Sequence, residues 1–157
     1  MSTRLKFLKW FGIAIVALLV VLQFIRPAKT NPATIEAQTL AAHVQVSAPV
    51  DAILNRACRD CHSNDTRWPW YSHVAPVSWY VIDHVNHGRS HLNFSEWGSF
   101  SKSDAEVMLK SICKEVKSGA MPLTSYTRMH RNAKLSPEDV QILCDWTTAE
   151  TERLGMP

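Results

Sequence analysis

Strand-like alternation is what this 157-residue chain most lacks: apolar and polar side chains rarely change places residue by residue, which excludes a sandwich or barrel as its main architecture. No stretch recurs at a fixed spacing, so solenoids and propellers are excluded too. No segment is of low complexity, and 46% hydrophobic with 20% charged residues is the composition of a folded protein. The length suits one core with an appendage rather than two independent domains.

A basic excess is also missing from most of the chain, although the formal net charge is +3. Arg4, Lys6, Lys9, Arg26 and Lys29 all precede residue 30, where there is no acid, and the other 12 basic residues face all 14 acidic ones. The main body therefore lacks the basic, aromatic-interleaved groove that nucleic acid demands, and no nucleic-acid partner is expected. The early basic residues flank an apolar run instead, WFGIAIVALLVVLQFI at residues 10–25, whose one strongly polar member is Gln23. It approaches spanning length if Phe7 and Leu8 join it past a snorkelling Lys9. Arg4, Lys6 and Lys9 before it put the N-terminus in the cytoplasm and residues 30 onward outside. A cleaved signal peptide is the alternative, but no small-x-small site follows the run, and Arg26 and Pro27 stand where one is needed. Residues 1–29 are read as an uncleaved anchor. Prolines at 27, 32 and 49 and little charge make residues 30–48 a linker, with the folded domain at 49–157.

Within that domain apolar positions recur at three and four, so the fold class expected is all-α. Val50, Ile53, Leu54 and Ala57 fall on one helix face. SDAEVMLKSICKEVKSG reads as a helix capped by Ser103 with Glu106 at the box position, burying Val107 or Met108, Ile112, Cys113 and Val116, and stopping at Gly119. LSPEDVQILCDW repeats the pattern, with Ser136 as cap, Pro137 opening the helix and Asp139 at the box position. A short helix from Val77 to His87, ended by Gly88, is expected in the Trp-rich stretch between 68 and 100.

Cysteine is scarce, four in all, yet two stand in ACRDCHSNDT: Cys58, Cys61 and His62 within five positions. This is the spacing of a c-type haem attachment site, in which two thiols one helical turn apart add to the vinyl groups of one haem edge and the adjacent imidazole reaches the iron. A thiol–disulfide redox centre uses the same C-x-x-C but belongs at a helix N-terminus after a strand. Zinc needs two more ligands, for which Cys113 and Cys144 are far away in sequence. A plain Cys58–Cys61 disulfide is the remaining alternative. For the second axial position, Met121 precedes Pro122 in a loop between two expected helices, where a thioether raises the potential relative to a second imidazole. His73, His84, His87, His91 and His130 compete for that place, and an open sixth position is the third possibility. His84, His87 and His91 share one face only if their helix runs through Gly88. Trp68, Trp70, Tyr71, Trp79, Tyr80, Trp97 and Phe100 offer flat apolar surface suited to walling in a porphyrin. Arg89 and Asn93 are candidates for the haem propionates. Cys113 and Cys144, each on the apolar face of an expected helix, either form a disulfide or stay as free buried thiols.

Together, CRDCHSNDTRWPWYSHVAPVSWYV, HVNHGRSHLNFSEW, SGAMPLTSY and LSPEDVQILCDW resemble the small bacterial haem-binding domain family, a branch of the cytochrome c-like proteins often carrying an N-terminal anchor. The resemblance covers about residues 46 to 150. It implies one covalent haem c on Cys58 and Cys61, with His62 as proximal ligand and Met121 at the position of the usual distal one. The segment from His62 to Met121 is longer than in simple electron carriers and richer in Trp and His. The expected protein is a single-electron carrier on the periplasmic face of a bacterial inner membrane, exchanging electrons with unidentified redox partners, rather than an enzyme. A haem enzyme or sensor with an open or displaceable sixth ligand is the second reading, and a thiol–disulfide oxidoreductase the third.

Overall fold

The computed structural model describes residues 3–155 and, among them, contains helices and no strand. The all-α expectation holds. Eight α-helices follow in order: α1 (Thr3–Leu22), α2 (Leu40–His43), α3 (Ala48–Ala57), α4 (Arg59–His62), α5 (Val77–His91), α6 (Lys102–Ser118), α7 (Thr124–Met129) and α8 (Pro137–Gly155), with single 3-10 turns between several of them. α1 is apolar on all sides, buries none of its side chains against the rest of the chain, and is long and apolar enough to cross a membrane.

The core forms where α3, α6 and α8 meet. α3 buries Val50, Ile53, Leu54 and Ala57, the four residues its periodicity singles out. α6 buries Ala105, Leu109, Ile112 and Val116, while Val107 is 57% exposed and Met108 is only partly covered. α8 adds Leu143, Cys144 and Trp146. Cys113 and Cys144 are bonded to each other, with Cα atoms 4.8 Å apart, so the bridge joins α6 to α8 and closes a 31-residue separation. A loop of that length is worth about 3 to 4 kcal/mol in the chain-entropy account.

Helix ends show where local grammar decides. Ser136 caps α8 as expected: the Asp139 N–H donates to Ser136 Oγ at 3.1 Å, and the Ser136 N–H donates to the Asp139 carboxylate at 2.7 Å. The cap of α6 lies two residues before the expected one. Ser101, not Ser103, accepts the Asp104 N–H, because Asp104 sits three residues after it and completes a competing box. Gly119, at φ 73, ends α6 in the left-handed conformation that favours glycine.

Two corrections concern the middle of the chain. α5 does not stop at Gly88 but continues to His91. A Cβ at Gly88 would lie 2.6 Å from the Cys61 carbonyl oxygen, so this glycine permits close approach of α4 to α5 instead of ending a helix. The packed core also begins before Pro49. Leu40 and Val44 join the central cluster, the Leu40 N–H donates to the Phe94 carbonyl at 2.7 Å, and Trp146 Nε1 donates to the Gln45 carbonyl at 2.7 Å.

Candidate functional site

Cys58 closes α3 and opens α4. Its N–H donates to the Leu54 carbonyl at 3.0 Å, while its own carbonyl accepts from Cys61 at 3.1 Å and His62 at 3.0 Å. The two thiols therefore stand one turn apart at the junction of α3 and α4, and neither is bonded to another cysteine. Burial, helped by the neighbouring Cys61, pushes the Cys58 thiol up to about 12. Burial, helped by Asp60, pushes Cys61 up to about 11. Both are protonated at neutral pH, the opposite of a thiol redox centre, which depends on a depressed pKa.

His62 is held from behind. Its Nδ1 lies 3.0 Å from the Leu92 carbonyl, which can only accept, so Nδ1 carries the proton and Nε2 presents its lone pair. Burial lowers the pKa of the ring, outweighing the Leu92 and Gly88 carbonyls that act in the other direction. The result is a neutral, oriented imidazole, which is what a metal ligand must be. The backbone around it is fixed as well. The Phe94 N–H donates to the His62 carbonyl at 2.8 Å, Asn93 Nδ2 donates to Asn64 Oδ1 at 2.8 Å, and the Asn64 N–H donates to Ser95 Oγ at 3.0 Å. Asn93, considered for a propionate, is buried in this polar network and its Oδ1 accepts the Ser95 N–H. Leu92, Asn64 and Ser95 were missed by sequence reasoning. For Asn64 and Ser95 the signal was small polar residues in loops between apolar ones; Leu92 acts through its backbone carbonyl and leaves no signal in the sequence.

Two adjoining cavities flank His62, one of about 270 Å³ toward α5 and α7 and one of about 320 Å³ toward α6. His62, His91 and Met121 border both; Cys61 borders the first and Cys58 the second. Met121 reaches this place because α6 ends at Gly119 and the Met121 N–H turns back to the Glu115 carbonyl at 3.1 Å. It is 37% exposed. Since α5 runs through Gly88, His84, His87 and His91 do lie along one helix, and all three border the cavity beneath α5. Each turns its Nδ1 to the carbonyl four residues before it. Arg89 is not brought to these cavities. Its guanidinium donates to the Ser63 and Thr30 carbonyls, Asn31 Oδ1 and Thr66 Oγ1, fastening the chain after α1 to the loop after α4.

A family model described as a haem-binding domain matches residues 17–149. The chain belongs to the haem-binding domain family. No curated protein and no solved structure gave a match. The match includes residues 30–48, in keeping with the burial of Leu40 and Val44.

The side chains of this haem-binding domain suit the group. An oriented neutral imidazole, two unpaired thiols one turn away, a thioether and two adjoining cavities are what an iron porphyrin needs for a hold on one edge and on the metal. Protein-ligated zinc is less well served, because Cys113 and Cys144 are used in their own bond, and among the described residues no three or more His, Cys, Asp or Glu side chains cluster to hold a metal. The aromatic block divides between core packing, hydrogen bonding to the chain after α1, and cavity lining. Trp97 and Phe100 pack into the core or against it, and the Trp68 and Trp79 indoles donate to Asn31 Oδ1 and the Ile25 carbonyl. Trp70, Tyr71 and Tyr80 line a third cavity of about 390 Å³ that Cys61 borders and Cys58 does not. Tyr126 borders the first and third cavities and donates to the Asp60 carboxylate at 2.7 Å, bracing α7 against α4.

Proposed function

We propose that this protein is a membrane-anchored, single-electron carrier of the cytochrome c type, with one haem covalently held by Cys58 and Cys61. The observation that carries the reading is the pairing of a neutral His62, its Nε2 left free by the Leu92 carbonyl, with two unpaired thiols one turn away. A haem held there supplies a one-electron iron couple and requires no bound substrate. His62 is the proximal ligand, kept neutral by burial and kept in one orientation by Leu92. Met121 is the distal ligand, supported by its place at the border of both cavities. His91 is the second reading for that ligand, favoured by the same position. α1 spans a bacterial inner membrane, and Arg4, Lys6 and Lys9 keep its start in the cytoplasm and the haem domain in the periplasm.

Haem retention on a denaturing gel tests the attachment, using the full chain from cells that have c-type maturation machinery. Haem is expected to stay with the denatured chain and to be lost from it when Cys58→Ser and Cys61→Ser are combined. Retention by the double variant, or a folded wild-type protein without haem, overturns the covalent reading. Ready binding of carbon monoxide by the reduced protein overturns the six-coordinate carrier in favour of an enzyme or sensor with a displaceable ligand.

A further inference from the structure

The chain leaving α1 is fastened to the domain rather than hanging from it. Gln23 meets the backbone of Ala75 twice: its Nε2 donates to the carbonyl at 3.0 Å, and its Oε1 accepts the N–H at 3.0 Å. Two residues on, the Ile25 carbonyl accepts Trp79 Nε1 at 2.6 Å, and Lys29 Nζ lies 2.9 Å from His73 Nε2. The anchor therefore emerges beside the turn that precedes α5. Around that turn the domain exposes an unusual set of side chains: Trp70, at 73%, with Val74, Val77 and Tyr80, continued on the anchor side by Phe24 and Ile25. An exposed apolar patch of this kind marks a binding surface, and Trp and Tyr are the residues enriched at membrane interfaces.

Charge identifies the occupant. Residues 23–35 and 66–82, the two segments that form this face, contain no acid, although the body beyond residue 30 is acidic overall. They carry Arg26 and Lys29, with Arg67 beside them in an ion pair with Asp60 at 3.1 Å, and the acid next to this face, Asp83, stands beyond Tyr80 at its edge. Apolar side chains rimmed by cations match an anionic lipid surface, with the aliphatic stems of the cations lying along it. We propose that the Trp70–Val74–Val77–Tyr80 face docks onto the anionic outer surface of the same bilayer that α1 spans, so that the domain lies against the membrane in one orientation. The proposal rests on α1 remaining in the membrane.

The test uses the full haem-loaded chain in vesicles of phosphatidylethanolamine and phosphatidylglycerol, with Val74→Cys compared with Val107→Cys on the exposed side of α6. With haem on Cys58 and Cys61 and the Cys113–Cys144 bond intact, the introduced cysteine is the one free thiol, and a nitroxide is attached to it. A label at 74 is expected to collide at least about fivefold less with a water-soluble nickel chelate than one at 107, and more with oxygen, as for side chains at the headgroup boundary. Adding Arg26→Gln and Lys29→Gln should raise nickel access at 74 without moving the haem spectrum. Equal access at 74 and 107 in protein that sediments with the vesicles overturns docking while leaving the anchor intact. Protection that grows with the protein-to-lipid ratio identifies a second copy as the occupant and also overturns it. Protein that fails to sediment with the vesicles overturns the anchor and the docking together. More than one label per chain reports free Cys58 or Cys61 and overturns the covalent reading; Cys58→Ser and Cys61→Ser then leave one label, and the contrast between 74 and 107 still decides docking.

Discussion

The two ring nitrogens of His62 have different tasks, and only one could be read from the sequence. CxxCH is a local pattern, so Cys58, Cys61 and His62 are legible as a set. The Leu92 carbonyl that fixes the tautomer lies thirty residues away and becomes a neighbour only through folding. Met121 and His91 were both candidates from the sequence, but what singles His91 out among the histidines, α5 continuing past Gly88, was not legible. Met121→Ala is expected to leave haem attached, shift the optical spectrum and lower the reduction potential, measured by redox titration; an unchanged spectrum assigns the distal position elsewhere. Asp139 shows a second kind of residue effect. Burial acts to raise its pKa, but hydrogen bonds from Arg56 and Ser136 outweigh it and hold the carboxyl below its usual value. Its ionised form therefore contributes stability that is complete above the unfolded pKa of about 3.9 and is lost as pH falls through the lower folded value. Asp139→Ala is expected to cost about 1 kcal/mol in urea denaturation at pH 7, with the difference from wild type shrinking below about pH 4.

At the scale of elements, α3 and α8 follow from periodicity and caps because their determinants lie within a few residues. α6 moved because two Ser-x-x-acid boxes overlap, and the earlier one won. α5 was cut short because a glycine permits both a stop and a close approach, and which applies depends on the neighbour. Here the neighbour is the Cys61 backbone. Ala at position 88 favours helix by about 1 kcal/mol on propensity alone. The 2.6 Å approach to backbone oxygen requires α4 and α5 to separate, and overpacking of this kind costs about 1 to 3 kcal/mol. Gly88→Ala is therefore expected to lower the denaturation midpoint despite the better helix former. A higher midpoint would show that α4 moves aside freely.

For the whole molecule, the anchor-like helix and the all-α class were legible from composition, while the start of the domain was not. Residues 30–48 have a linker's composition, yet Leu40 and Val44 land in the core and Gln45 accepts the Trp146 indole. Isolated apolar residues in a polar stretch carry no periodicity, so burial shows only once the chain is placed. A chain beginning at residue 30 should fold with nearly full stability. One beginning at residue 49 loses two buried aliphatic side chains and should be weaker by about 4 kcal/mol or more, enough to unfold a marginal domain. Equal denaturation midpoints would return residues 30–48 to the status of a linker.

The Cys113–Cys144 bridge lies close to the end of α6, the helix that hands the chain through Gly119 to Met121. It works as a stay on a mast: movement at the Met121 shoulder has to carry α8 with it, and α8 is anchored by its cap at one end and by Trp146 further along. The stiffness of the cavity wall opposite His62 is thus set by two helices acting as one beam. Reducing agents should therefore weaken the α6–α8 pair as a whole, seen as a lower denaturation midpoint, and the Met121 shoulder with it.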